Sequence, residues 1–333
     1  MNVLTLVSAI LLSMVIIIYV ILDGFDLGIG ILFSWIKSPE ERNLMMNSVA
    51  PVWDGNQTWL VFGAAVLYGS FPLAYGILLP ILYMPLTIML TALIFRGVAF
   101  EFRFKAIRSR RLWDIGFSVG SMVAAFCQGL VLGTFVMGYA STASLQNPHQ
   151  AHLITPFSIM TGVAVVVGYG LLGTTWLIRK TEGDLQEKMY KTAKFLLGVV
   201  LFFMIVVSIW TPLQSLEIQR RWFTLPNLFY FSPLPTLTAI TFMLCFYCLK
   251  KRYEKIPFYL SILLFVWGYM GFCLSDWPYI VPHSIRLWEA AAPPSTQRFL
   301  LTGAGILLPI LLAYTLHAYK IFSGKVTSGE GYH

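Results

Sequence analysis

Charge is what this sequence has least of. Only 11% of its 333 residues are Asp, Glu, Lys or Arg, against 57% hydrophobic ones. A soluble domain is nearer a quarter charged. With a mean hydropathy of +0.73, that deficit excludes an ordinary soluble enzyme and predicts a polytopic membrane protein, a single integral membrane domain over 1–333. Cysteine is scarce too. Cys127, Cys245, Cys248 and Cys273 are the only four, and nothing in them suggests a disulfide framework. Cys245-Phe246-Tyr247-Cys248 has redox spacing but falls in an apolar stretch, where two cysteines read as small buried side chains. Of five histidines, His149 and His152 fall in one predicted loop, His283 in another, His317 near the end of the last span and His333 at the terminus. None sits at mid-membrane depth, where a haem iron would want its ligand. His149-x-x-His152 has spacing for a metal, but no Cys or carboxylate keeps it company. Walker A, Rossmann and G-x-S-x-G motifs are all missing. Residues 4–22 lack a basic n-region and a small-x-small cleavage site, so they read as a first span and not as a signal peptide.

What the sequence does have is long apolar runs. A crossing helix needs about 20 such residues, and the pattern predicts nine, over 4–35, 46–69, 72–95, 114–138, 155–178, 193–211, 228–249, 257–275 and 299–322. The 46–69 run is the weakest, because Trp53 to Thr58 dilutes it. The expected fold class is an all-α polytopic membrane protein of nine transmembrane helices, arranged as two four-helix bundles plus one peripheral helix. With the N-terminus outside, every one of the 23 Lys and Arg residues falls inside except Arg220, Arg221, Arg286 and Arg298. The positive-inside rule therefore predicts N-out, C-in. It also accounts for the net charge of +8 as membrane orientation, so no nucleic-acid partner is needed. The outside segments 212–227 and 276–298 are rich in Pro and Trp, as suits an interface belt or a subunit contact.

One hairpin breaks the apolar pattern. It begins with Asp23-Gly24-Phe25-Asp26-Leu27-Gly28-Ile29-Gly30 and resumes with Asn47-Ser48-Val49-Ala50-Pro51-Val52-Trp53-Asp54-Gly55-Asn56-Gln57-Thr58-Trp59. Ionisable groups in a span are costly and mark functional candidates. Asp23 and Asp26 share a helix face at i, i+3, and Gly24-x-x-x-Gly28 lets another backbone come close. If the first helix ends near Trp35, Asp26 lies about 14 Å from that end. If the second begins near Leu44, Asp54 lies about 15 Å from its start. Asp26 and Asp54 are then expected to face each other at matched depth, open to the cytoplasm, with Asn56 and Gln57 beside them. Paired carboxylates in low dielectric can hold and pass protons, which makes this a candidate proton path; the other reading is a structural network capping backbone groups near Pro51. Trp53 and Trp59 read as interface anchors or as a stacking face for a flat ligand such as a quinone ring. Arg96 abuts apolar sequence and is expected to pair with Glu101 or Asp114, while Asp114 suits a helix start by its dipole.

The hairpin motifs resemble subunit II of the cytochrome bd-type quinol oxidases. The resemblance continues through Phe95-Arg96-Gly97-Val98-Ala99-Phe100-Glu101-Phe102-Arg103, Leu112-Trp113-Asp114, Leu287-Trp288-Glu289-Ala290-Ala291 and Leu308-Pro309-Ile310. The phrase from Phe95 to Phe104, with Ala291-Pro293-Pro294 and Gln297-Arg298-Phe299, is most similar to the cyanide-insensitive branch. The resemblance implies a heterodimer in the bacterial inner membrane that oxidises quinol and reduces oxygen to water. Haem b and haem d would lie in the partner, subunit I; no cofactor is firmly implied in this chain, beyond a structural quinone in some members. A small accessory subunit, membrane lipid and quinol complete the implied partners. Carried over by position, Asp54 and Asp26, with Asp23, match the acidic proton route, and Trp53 matches a residue that touches the structural quinone in some members. Glu289 departs from the family, many members having Asp after the residue matching Trp288. The rival reading from a different class is a proton-coupled secondary transporter, which would need broken helices and clear internal symmetry.

Overall fold

The computed structural model describes residues 3–138 and 153–327; the His149/His152 pair lies outside the described residues. The described chain is almost entirely helical. Its long helices are α1 (Val3–Phe33), α3 (Trp53–Ser70), α4 (Pro72–Arg103), α5 (Arg110–Met137), α6 (Pro156–Lys180), α7 (Gly183–Gln214), α10 (Pro233–Lys250), α11 (Ile256–Asp276) and α12 (Pro294–Ile321). Short helices α2 (Pro39–Asn47), α8 (Leu216–Phe223) and α9 (Asn227–Phe231) connect them. The strands β1 (Tyr279–Val281) and β2 (Ile285–Arg286) form one antiparallel hairpin. Proline opens α2, α4, α6, α10, α11 and α12, where its missing N–H would have no intrahelical partner anyway. Thr155 and Ser158 add a reciprocal capping box at the start of α6.

Among the described residues eight helical stretches are long and apolar enough to cross a membrane. The helix α3 is not among them. The predicted 46–69 span is in fact divided: residues Pro39–Asn47 form the separate helix α2, and α3 begins only at Trp53. Its 18 residues open with the polar run from Asp54 to Thr58, which lowers its hydropathy. By contrast α4 runs two turns past the predicted end at 95, because Arg96 and Arg103 find buried partners on neighbouring helices.

Helix α1 is the hub. It packs against α3, α5, α6, α11 and α12. Its glycines make the tightest of these seams. A Cβ on Gly28 would lie 1.8 Å from the Tyr169 carbonyl oxygen, and one on Gly173 would lie 2.5 Å from the Gly28 carbonyl carbon. The α1 and α6 backbones are therefore in direct contact at Gly28 and Gly173, as small-residue packing allows. The helices α6, α7, α10 and α11 pack among themselves, and α5 and α1 join them to α3 and α4. The last helix lies against α3 and α1. Large apolar side chains such as Ile94, Phe202, Ile209, Met243 and Ile310 point outward from these helices. On a soluble protein that would be an aggregation surface; on a membrane helix it is ordinary lipid or subunit contact.

Candidate functional site

Asp23 and Asp26 rise from one face of α1 and are fully buried. Gly24 and Gly28 clear the opposite side for α6, so the two acids are turned toward α3 and α4. Arg96, two turns before the end of α4 and itself fully buried, reaches both: its Nη1 donates to Asp23 Oδ1 at 3.2 Å, and its Nη2 lies 3.7 Å from Asp26 Oδ2. Arg96 thus pairs with Asp23 and Asp26, not with Glu101 or Asp114 as sequence spacing suggests. Glu101 is exposed and 4.0 Å from Lys105.

Two polar arms converge on the acids. In one, the Tyr319 hydroxyl of α12 donates to Asn56 Oδ1 at 2.9 Å, and Asn56 Nδ2 donates to Asp26 Oδ2 at 2.7 Å. In the other, the Tyr169 hydroxyl of α6 donates to Gln128 Oε1 at 2.6 Å, and Gln128 Nε2 donates to the Tyr19 hydroxyl at 2.8 Å. Tyr19, one turn before Asp23, faces that carboxylate. Each arm is a tyrosine backing a carboxamide, and the direction of donation runs toward the acids. The amides are fixed by this, because a flipped Asn56 would set its NH2 against the Tyr319 hydroxyl and its oxygen against Asp26. Two carboxylates share one guanidinium, so with both ionised the group carries one excess negative charge, and a single proton neutralises it. Asp26 Oδ1 is buried without a protein hydrogen-bond partner, while Gln57 as well as Tyr19 approaches the Asp23 carboxylate.

Asp54 does not face Asp26. It is exposed, and the residue opposite Asp26 is Asn56. Two residues of helix turn a side chain by about 200° while advancing about 3 Å. A helix that starts at Trp53 puts Asp54 in its first turn on the outward face, so the expected pairing of Asp26 with Asp54 is replaced by Asp26 with Asn56.

The family model for cytochrome bd terminal oxidase subunit II matches residues 4–322. The chain belongs to that family. Its relatives include the cytochrome bd-I ubiquinol oxidase subunit 2 of Escherichia coli K12, 27% identical over 362 residues, covering 96% of this chain and 94% of that one. The cytochrome bd ubiquinol oxidase subunit 2 of Bacillus subtilis is 27% identical over 332 residues, covering 96% of each. Both relatives are subunits of a ubiquinol oxidase, an oxidoreductase complex, and membership makes this chain a subunit of the bd type. Among solved structures, the bd oxidase of Geobacillus thermodenitrificans contains a chain of the same fold, with a TM-score of 0.74 at 16% identity over 96% of this chain and 99% of that one.

In this bd-family chain the other sequence-predicted residues are dispersed. Asp114 is not a helix-start acid. It sits in the second turn of α5, 2.8 Å from Arg42 and in contact with Arg103. Asn43 accepts from Arg103 at 2.8 Å and from Arg110 at 2.6 Å. That group pins α2 to the α4–α5 turn. Trp53 is stacked on Phe100, centroids 4.9 Å apart and planes within 6°, with Gly97 beneath it. One ring face is thus taken within the chain. Trp59 is a buried core residue, not an interface anchor. Glu289 accepts from the Arg286 backbone N–H at 2.9 Å, closing the turn after the β-hairpin. Among the described residues no group of three or more His, Cys, Asp or Glu is arranged to hold a metal. Sequence reading missed Tyr19, Gln128, Tyr169 and Tyr319. Gln128, an amide inside an apolar span, carried a usable signal; the tyrosines did not, since the chain has 16 of them.

Proposed function

We propose that this chain is the haem-free subunit II of a bd-type quinol:oxygen oxidoreductase in a bacterial inner membrane. In this reading it crosses the membrane nine times, α3 included, N-out and C-in, as one integral membrane domain. It stabilises a haem-bearing subunit I, whose haem b and haem d carry the redox chemistry, and it conducts protons from the cytoplasm toward the site where oxygen is reduced to water. The observation that carries the proton role is the buried pair Asp23 and Asp26 sharing Arg96. A buried charged group inside spanning helices is expensive, and its stoichiometry leaves room for one exchangeable proton. Asp26 lies seven residues from the end of α1, about 10 Å inside it. Asp54, exposed on the first turn of α3, serves as the acceptor at the mouth. The amides do not relay protons; they orient the acids. A structural quinone would meet Trp53 from its outer side, because Phe100 covers the other.

The test is Asp26→Asn in the assembled complex. We expect oxygen consumption with quinol to fall at least about tenfold, as for loss of a proton-transferring group, with the haem absorbance spectrum unchanged. Full turnover in that variant would remove Asp26 from the path. Loss of the haem spectrum would instead assign the pair to assembly.

A further inference from the structure

The last helix is a thin support for a residue that touches the acid pair. Only 6% of the apolar window of α12 is buried within the chain, yet Tyr319, near its end, holds Asn56 against Asp26. Its ring stands edge-on to Phe25 at 6.2 Å and to Trp176 at 5.9 Å. At its start α12 is tied to α1 through Gln297, which accepts from Ser8 and donates to Thr5, each at 3.4 Å, and which donates to the Ala292 carbonyl at 2.7 Å. The other end is tied differently.

Lys180 closes α6 and is buried, 4% exposed. Its ammonium donates to the carbonyl of Phe322, immediately after α12, and to that of Gly324 at 2.8 Å. Its own carbonyl accepts from the Val326 N–H at 2.8 Å. Lys325 then spans Glu182 at 3.2 Å and Glu254 at 3.0 Å, on the α6–α7 and α10–α11 turns. Residues 322–326 therefore form a strap that fastens the end of α12 to the end of α6 and to the α6–α7 and α10–α11 turns. A buried ammonium is costly unless hydrogen-bonded, and here its partners are backbone carbonyls just past the end of α12, so the lysine and the segment hold each other in place.

We propose that Lys180 is a positioning residue for the acid pair: through the strap it fixes Tyr319, and through Tyr319 the Asn56 amide that donates to Asp26. The proposal rests on the acid pair being the proton site, but it concerns the strap's control of Asp26, which can be read without turnover. When the strap is tied, Asn56 presents its NH2 to Asp26 and favours the ionised carboxylate. When it is loose, α12 has few contacts to keep the hydroxyl in place, the amide is freed to rotate, and Asp26 loses its donor.

The experiment uses the complete oxidase complex carrying Lys180→Met, Lys325→Gln, Tyr319→Phe or Lys180→Met with Tyr319→Phe. Hydrogen exchange of peptides covering 316–327 reports the strap. Infrared difference spectra across a pH step, with Asp26→Asn assigning the band, report the Asp26 carboxyl. Lys180→Met and Lys325→Gln should speed exchange in the tail about tenfold or more, the equivalent of one charged hydrogen bond. Lys180→Met should shift the Asp26 band in the direction that Tyr319→Phe does. The double variant should shift it no further than Tyr319→Phe alone, because both act through one hydroxyl, and Lys180→Arg should restore it. A loosened tail with the Asp26 band unmoved overturns the proposal, as do additive shifts. Should Lys180→Met fail to assemble, Lys325→Gln carries the same comparison. If the band moves as expected while Asp26→Asn leaves turnover intact, the strap stands and the proton-path reading falls.

Discussion

Arg96 lies 3.2 Å from Asp23, and neither side chain is more than 1% exposed. The guanidinium also serves Asp26, so it is the sole cation that the described geometry places on the two acids. Removing it leaves two carboxylates buried without a counter-charge, which is the costly way to break a buried pair. Arg96→Met is expected to destabilise the complex by about 3–5 kcal/mol. Arg96→Met combined with Asp23→Asn and Asp26→Asn should recover most of that loss, since no charge is then stranded. Thermal unfolding of the two variants checks this; equal melting temperatures would contradict it.

The α1–α6 seam gives a second expectation. At Gly28 an added methyl would meet the Tyr169 backbone carbonyl at 1.8 Å, and backbone cannot rotate away. Gly28→Ala should force the helices apart at a cost of about 1–3 kcal/mol or more, with lower yield of assembled complex. Gly76→Ala, where nothing lies within 4 Å of the added atom, is the control and should assemble normally. Yield after affinity purification measures both.

Asp54 is exposed while Asp26 is buried, so the two should separate by phenotype. We expect Asp54→Asn to slow oxygen reduction, leave the haem absorbance of the complex intact and leave its melting temperature unchanged, because no buried partner of the Asp54 carboxylate is lost. Stopped-flow oxygen consumption beside a melting curve decides it. Unchanged turnover would take Asp54 out of the path.

The Lys325 tie should have a wide pH window. The Lys325 ammonium holds Glu254 below its ordinary 4.5, against a smaller opposing effect of burial and with help from Gln186. Its depressed value means the tie is present above 4.5 and lost only as pH falls through the lower, folded value. Burial works to lower Lys325, but Glu254 and Glu182 together raise it above 10.5, so its share is lost only as pH rises beyond that. Corrected for intrinsic exchange, the share of protection of residues 322–326 that Lys325→Gln removes should be flat from about pH 5 to 10. A loss of that share near neutral pH would contradict these pairings.

Much of this was legible in the residues and much was not. The apolar runs located the long helices, because crossing a hydrocarbon layer leaves a chain few alternatives to a helix of about 20 residues. The same logic flagged Asp23, Asp26, Asn56 and Arg96, since polar groups stand out against such runs. The motifs around them also fixed the family. Pairing was a different matter. Arg96 is 73 residues from Asp23 in sequence, and local spacing pointed to Glu101 and Asp114 instead.

The hairpin makes the division plain. By itself the sequence determined that polar groups interrupt the apolar runs on both arms of the hairpin, because such groups stand out where side chains are otherwise apolar. It could not determine rotation. The break between α2 and α3 at Ser48–Val52 resets the helical phase, and that phase is set by packing of Trp53 on Phe100 and of Trp59 into the core. Only the tertiary structure therefore decided that Asn56 meets Asp26, that Asp54 looks outward, and that a lysine at the end of α6 bonds the chain just past α12.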